Sequence, residues 1–186
     1  MTQISNAKIA ILATHDYEKS ELFEPKRQLE DAGAEIVIIS PESGEIKSWD
    51  KDNWGEAVAV DMDIADARVE DFDALVLPGG QINPDILRTN DKAVSFVRDF
   101  FNSGKTLAAI CHAPWLLVEA DVVKDRDVTS WPSVKTDLMN AGGRWQDSEV
   151  VVDQAMITSR KPGDLDAFCA KIIEEVREGR HERQAA

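Results

Sequence analysis

Cysteine, histidine and positive charge are all scarce in this chain, and each scarcity removes a class of function. Only two cysteines occur, Cys111 and Cys169. Two are too few for a disulfide framework, so a reducing compartment is expected. The three histidines, His15, His112 and His181, show no ligand spacing among themselves or with the cysteines, so neither a metal nor a cofactor is expected. Lysine and arginine number 21 against 35 aspartates and glutamates, giving a net charge of -14 and a pI of about 4.6. Nucleic acid and anionic membrane surfaces both demand a basic face, so neither is expected as the main partner. No apolar run approaches the length of a membrane span, and Met1 to Lys8 lacks the apolar segment of a secretion signal. The expected location is therefore cytoplasmic. Glycine-rich phosphate loops are missing too: neither G-x-G-x-x-G nor a G-x-x-x-x-G-K segment occurs.

What remains is a chain of ordinary composition, 186 residues long and 43% hydrophobic. That length supports one sizeable core, and no repeat or linker divides it. A single domain over residues 1–186 is expected, with the polar stretch 179–186 as a frayed tail. Apolar runs at Lys8 to Ala13, Glu35 to Ser40, Ala74 to Leu77 and Leu107 to Ile110 read as buried strands. Between them, Leu22, Phe23, Leu29 and Ala32 mark an amphipathic helix that Gly33 stops, with Pro25 near its first turn. Asp91 to Ser103 is a second helix with a broad apolar face, and Gly104 ends it. The alternation predicts an α/β fold with a mostly parallel central sheet and helices on both faces. Glu45 to Trp49 and Ala57 to Val60 suggest a small hairpin, whose Trp49 and Trp54 read as packing residues. Asp61 to Asp73 reads as an acidic loop with a helical turn. Farther on, Asp127 to Ser130, Val150 to Val152 and Met156 to Ser159 read as strands, and Ser133 to Ala141 as a helix. Asp164 to Arg177 is the last amphipathic helix, and Cys169 lies on its apolar stripe as a packing residue.

The chain turns sharply at Cys111, between the strand Leu107 to Ile110 and a helix starting at Pro114. A nucleophile on such an elbow needs small neighbours two residues to either side, and Ala109 and Ala113 satisfy this. The helix start would offer free N–H groups and a positive dipole end, both of which favour the reactive thiolate. A core cysteine that merely precedes a helix would look the same locally. Ligands of open α/β sheets bind beyond the carboxyl ends of the strands. Three loops leave those ends: Thr14 to Glu21, Pro78 to Asp85 with Gly79-Gly80, and Cys111 to Pro114. Their convergence would join acidic side chains, a glycine backbone and a nucleophile.

Four segments together resemble a known family. They are the Cys111-His112 elbow, Leu77-Pro-Gly-Gly80, Tyr17-Glu-Lys-Ser-Glu-Leu22 and Thr158-Ser-Arg-Lys-Pro-Gly-Asp-Leu165. The chain is similar, from about Lys8 to Ile173, to the DJ-1/PfpI superfamily and most to its PfpI-like branch. Members of that branch carry the labels intracellular protease, general stress protein and protein deglycase. The resemblance implies a flavodoxin-like three-layer sandwich and a homodimer or larger assembly with the site near the interface. It implies Cys111 as nucleophile, with Glu21 against its sulfur and coupled to it in titration. It implies an oxyanion hole from the backbone N–H groups of Gly80 and His112. It also implies an intersubunit Cys111–His112–Asp85 arrangement. The chain departs from the family at Ala113, where glycine is usual, and at His15-Asp16, where a more acidic pair is common. His15 could line the pocket as a second proton carrier or stand in solvent as a loop residue. Trp115 could line the pocket or pack the elbow helix.

The first functional expectation is an enzyme using Cys111 on a small dicarbonyl, a glycated protein or a peptide. A dicarbonyl such as methylglyoxal would form a hemithioacetal, and Glu21 or His112 would move the protons. The second is a redox-sensing stress protein in which Cys111 is oxidised with little or no turnover. A glutaminase of the amidotransferase type shares the elbow but needs a histidine and an acid late in the chain. Only His181 follows His112, in the tail.

Overall fold

The computed structural model describes residues 3–179. Of the expected tail, residues 180–186, His181 among them, lie outside the described residues. In chain order the elements are β1 (Lys8–Leu12), β2 (Tyr17–Glu18), α1 (Lys19–Asp31), β3 (Glu35–Ser40), β4 (Glu45–Asp50), β5 (Asn53–Ala59), β6 (Met62–Asp63) and β7 (Ala74–Leu77). There follow α2 (Ile82–Leu87), α3 (Asp91–Asn102), β8 (Thr106–Ile110), α4 (Pro114–Glu119), β9 (Asp127–Val128) and α5 (Lys135–Asn140). The last are β10 (Arg144–Trp145), β11 (Val150–Asp153), β12 (Met156–Ser159) and α6 (Leu165–Glu178).

A seven-stranded sheet in the order β11-β12-β8-β7-β1-β3-β6 forms the middle layer. All neighbours pair in parallel except β11 with β12. Side chains alternate across a strand, so each strand feeds both faces. Ile9 and Ile11 of β1 join Leu22, Leu29, Phe168, Cys169 and Ile172 beneath α1 and α6. Ala10 and Leu12 face the other way, towards Phe96, Val97, Phe100, Phe101, Leu116 and Leu117 of α3 and α4. This is the flavodoxin-like three-layer sandwich that the strand pattern and the family resemblance predict.

The strand order also explains the convergence of the loops. β8, β7 and β1 are adjacent, so the segments leaving their carboxyl ends must meet. β2 pairs in parallel with Ser48 and Trp49 of β4, which ties the segment after β1 to the hairpin.

Several expectations need correction. Gln81 to Asp85 reads as loop, yet Ile82–Leu87 is helical, because Pro84 sits in the first turn, where its missing N–H does no harm. Pro25 is not at the start of α1 but inside it, where it removes the N–H that would bond the carbonyl of Glu21. Asp127 to Ser130 does not join the main sheet; β9 pairs with β10 in a separate two-stranded ladder. Trp49 and Trp54 pack edge to face on each other, with centroids 5.9 Å apart, but both stay exposed on the hairpin.

Phe100 is wholly buried beneath the sheet whereas Met139 is 53% exposed. Phe100→Ala should therefore cost about 3–5 kcal/mol of unfolding free energy. Met139→Ala should stay within about 0.5 kcal/mol. Urea denaturation of both variants checks the assignment of the core.

Candidate active site

Cys111 follows the last residue of β8 and adopts φ 65, a left-handed conformation that costs a side-chain-bearing residue energy. Backbone bonds hold it there. Its N–H donates to Ser159 O at 3.0 Å, and its carbonyl accepts from Trp131 N–H at 2.9 Å. Ala109 and Ala113 are fully buried on either side, as the elbow geometry requires. The helix beyond is short, so the sulfur depends less on its dipole than on two backbone N–H groups, those of Gly80 and His112.

Glu21 projects from α1 into this corner and is completely buried. Gly79 N–H donates to its Oε2 at 2.9 Å. Its Oε1 has no hydrogen-bond partner among the described residues. A carboxylate would leave that buried oxygen charged and bare, which is costly. Burial, and next the charge of Glu18, raise the Glu21 pKa to about 8, so the carboxyl holds its proton at neutral pH. Burial pushes the Cys111 thiol up, and a charged Glu21 would push it further, while the Gly80 and His112 amides pull it down. With Glu21 protonated the repulsion disappears, and the acid can give the sulfur a hydrogen bond instead. Cys169 shows the contrast. Burial raises it to about 12, and no amide offsets this.

The glycines are demanded by close approach. A Cβ on Gly79 would lie 2.5 Å from Glu21 Oε2 and 2.7 Å from Cys111 Cβ. One on Gly80, at φ +80, would lie 2.6 Å from Asp16 O and 2.7 Å from Glu18 N. Asn83, which the sequence reading passed over, staples the loops together. Its side chain donates to Pro78 O and Gly79 O and accepts from Thr14 N–H. Only its place after the double glycine could have flagged it. A cavity of about 280 Å³ opens beside Gly80, lined also by Asp16, Glu18, Trp49, Gln81 and Ile82. Trp49 thus walls a cavity as well as packing on its neighbour.

His112 Nδ1 lies 3.2 Å from Cys111 Sγ. The ring stacks on Trp131 at 6.0 Å and meets Trp115 at 5.2 Å. Burial lowers its pKa, which favours the neutral imidazole. Its Nε2 lies 3.3 Å from Ser133 Oγ, a contact for which the sequence holds no local signal. Asp85 is exposed on α2, and within the chain the bond to Nε2 comes from Ser133. His15 is half-buried, and its Nδ1 accepts the backbone N–H of Lys47 at 3.1 Å, which anchors its loop to the hairpin. Trp115 packs on the elbow helix and donates to Asp137 Oδ2 at 2.7 Å. Among the described residues no group of three or more His, Cys, Asp or Glu could hold a metal ion. No helix among them is long and apolar enough to cross a membrane.

The model of the DJ-1/PfpI family matches residues 7–175. A Bacillus subtilis (strain 168) protein named as a candidate cysteine protease, YraA, is 41% identical over 87% of this chain and 93% of its own length. Protein/nucleic acid deglycase 2 of Escherichia coli (strain K12) is 44% identical over 87% of this chain and 92% of its own. Among solved structures, a two-domain protein from Anabaena variabilis with DJ-1/ThiJ/PfpI-like and ferritin-like domains superposes with a TM-score of 0.87 and 35% identity. The match covers 92% of this chain and 48% of that one, so this chain spans about half of that protein.

Two outcomes test the geometry. Alkylation of Cys111 by iodoacetamide should show two coupled ionisations in the native protein and a single one in Glu21→Gln; one ionisation in both would remove the coupling. Folded Glu21 keeps its proton to about pH 8, against about 4.5 for the free group. The folded state then binds more protons, so its stability should fall as pH rises through that window. Thermal melts of Glu21→Gln should lose this slope.

Proposed function

The chain belongs to the DJ-1/PfpI family, and from that premise we propose a stress-related, cysteine-dependent hydrolase or lyase acting on reactive carbonyl compounds. The observation that carries the proposal is the fully buried Glu21 carboxyl set against Cys111, its pKa raised by burial, with the Gly80 and His112 amides at the same sulfur. The Cys111 thiolate adds to the aldehyde carbon of a dicarbonyl and forms a hemithioacetal. The developing oxyanion sits where the two amides point. Glu21 or His112 then moves a proton from that carbon to its neighbour through an enediol, leaving a thioester. Water releases the hydroxy acid and restores the thiol. Methylglyoxal plus water thus becomes lactate, with no net oxidation.

A glycated amine or guanidine enters the same sequence when the Cys111 sulfur displaces the nitrogen from the carbonyl adduct, the C–N bond breaking and the freed amine taking up the proton. The deglycase name of the Escherichia coli relative supports that substrate class, and the protease name of the Bacillus relative supports a peptide. Peptide cleavage asks more of the site, because a leaving amine needs a strong, well-placed acid. We place the protein in the cytoplasm, with a homodimer as its working form. Ile82 and Ile86, exposed on either side of Asp85, form the face on which a second copy would bring Asp85 towards His112. The alternative, a redox sensor, draws on the same arrangement: the amides and acid that hold a thiolate also favour its oxidation to a sulfenic or sulfinic acid.

The deciding measurement is methylglyoxal loss with lactate formation in amine-free buffer with chelator. The native protein should turn over, Cys111→Ala should fall to background, and His112→Gln should lose about 10²–10⁴-fold. Absence of turnover in protein with verified reduced Cys111 would transfer the role to oxidation or to a peptide substrate.

A further inference from the structure

The loop between β1 and β2 is fastened on two sides. Towards the glycines, Thr14 N–H donates to Asn83 Oδ1 at 2.8 Å and Glu18 N–H to Gly79 O at 3.4 Å. Towards the hairpin, Asp16 N–H donates to Lys47 O at 2.9 Å, and Lys47 N–H donates to His15 Nδ1 at 3.1 Å. Asp16 itself sits at φ 62, in the left-handed region, so its neighbours must hold it there. The cavity of about 280 Å³ draws its lining from both sides: Asp16 and Glu18 from the loop, Trp49 from the hairpin, and Gly80.

One of those fastenings depends on a proton. A backbone N–H can only donate, so His15 Nδ1 must accept, and the ring carries its proton on Nε2. A second proton, on Nδ1, sets two N–H groups against each other and turns the bond into a repulsion. Imidazoles take up that proton between about pH 5 and 8. The charged groups around this junction are Asp16 and Glu18 on the same segment, Glu42 after β3, and Glu45 and Lys47 on β4. Glu42 Oε1 accepts from Thr14 Oγ1 at 3.4 Å. Across the hairpin, Glu45 and Lys47 face the uncharged Ala59 and Ala57 of β5, and the glycine loop adds the uncharged Gln81. Asp50 and Glu56, farther along the hairpin, pair with Lys19.

We infer that His15 is a positioning residue whose neutral imidazole latches the loop after β1 to the hairpin, and whose protonation releases the latch and loosens the wall of the cavity beside Gly80. Asp16 O and Glu18 N lie directly over Gly80, so a loosened loop also loosens the seat of the Gly80 amide. The latch is independent of the reading of Cys111 as nucleophile; its effect on turnover rests on that reading.

The test uses the full chain labelled with ¹⁵N. Lys47 N–H reports the latch, because His15 Nδ1 is its acceptor. In the native protein, the exchange protection of this amide, corrected for intrinsic rate, should fall about fivefold between pH 7.5 and pH 5.5, in step with the His15 ring nitrogens. His15→Asn places an amide oxygen near the position of Nδ1, accepts without titrating, and should keep the protection at both pH values. His15→Ala should lack it at both. His15 is a half-buried loop residue, so both variants should fold. His15→Asn should also keep a severalfold larger share of its pH 7.5 methylglyoxal kcat/KM at pH 5.5 than the native protein does, since the other titrating groups are common to both. Native Lys47 protection that ignores the His15 titration would overturn the inference, as would the same pH dependence in His15→Asn. Equal kcat/KM ratios in native protein and His15→Asn would remove the positioning role. If the Lys47 amide behaves as expected and no protein turns over methylglyoxal, the latch stands and the proposed reaction fails.

Discussion

One buried carboxyl organises the elbow: that of Glu21, sealed beneath the surface against Gly79 and Cys111, where burial raises its pKa. The close packing around it leaves no room for side chains on the neighbouring glycines. Gly79 cannot carry a side chain because Glu21 and Cys111 fill the space. Gly80 cannot, because the Asp16 to Glu18 backbone passes directly over it. Glu18 caps α1 through the N–H of Glu21 itself, so the acid's own backbone is pinned at the helix entrance. Asn83 uses its whole amide to hold Thr14 against Pro78 and Gly79. The loops of three neighbouring strands are thus fastened to each other before any substrate arrives, which is the preorganisation that electrostatic catalysis depends on.

The scaffold was legible in the sequence because apolar runs and helical stripes are local signals. The strands at Lys8, Glu35, Ala74 and Leu107 and the helices at Asp91 and Leu165 announce themselves through their own side chains. Elements stabilised from elsewhere do not. The two-residue strands β2, β6 and β10 exist only through their partners, and α2 hides behind a proline. At the site, Cys111 could be argued from its small neighbours. Glu21 came from family resemblance, since nothing in the composition of α1 distinguishes it from the other acids there. Ser133 escaped because its contact with His112 joins loops 21 residues apart.

The two cysteines show how far environment, rather than residue type, sets reactivity. Both are buried, and burial raises both thiols. Cys169 sits in the stripe of α6 among Phe168 and Ile172, buried in apolar packing. Cys111 has similar burial but keeps a buried carboxyl, two amides and an imidazole near its sulfur. What sets the Cys111 thiol apart from the Cys169 thiol is those few polar groups, supplied by α1, by the glycine loop after β7 and by His112 itself.

The left-handed backbone of Cys111 has an evolutionary consequence. At φ 65 glycine would be more comfortable than any residue with a Cβ, and the strain is worth about 1–2 kcal/mol. Backbone stability and the presence of the sulfur therefore pull in opposite directions at this position. A lineage that no longer needed the thiol could drift to glycine there and relieve that strain. Cysteine persists at such a place only while something continues to select for its chemistry.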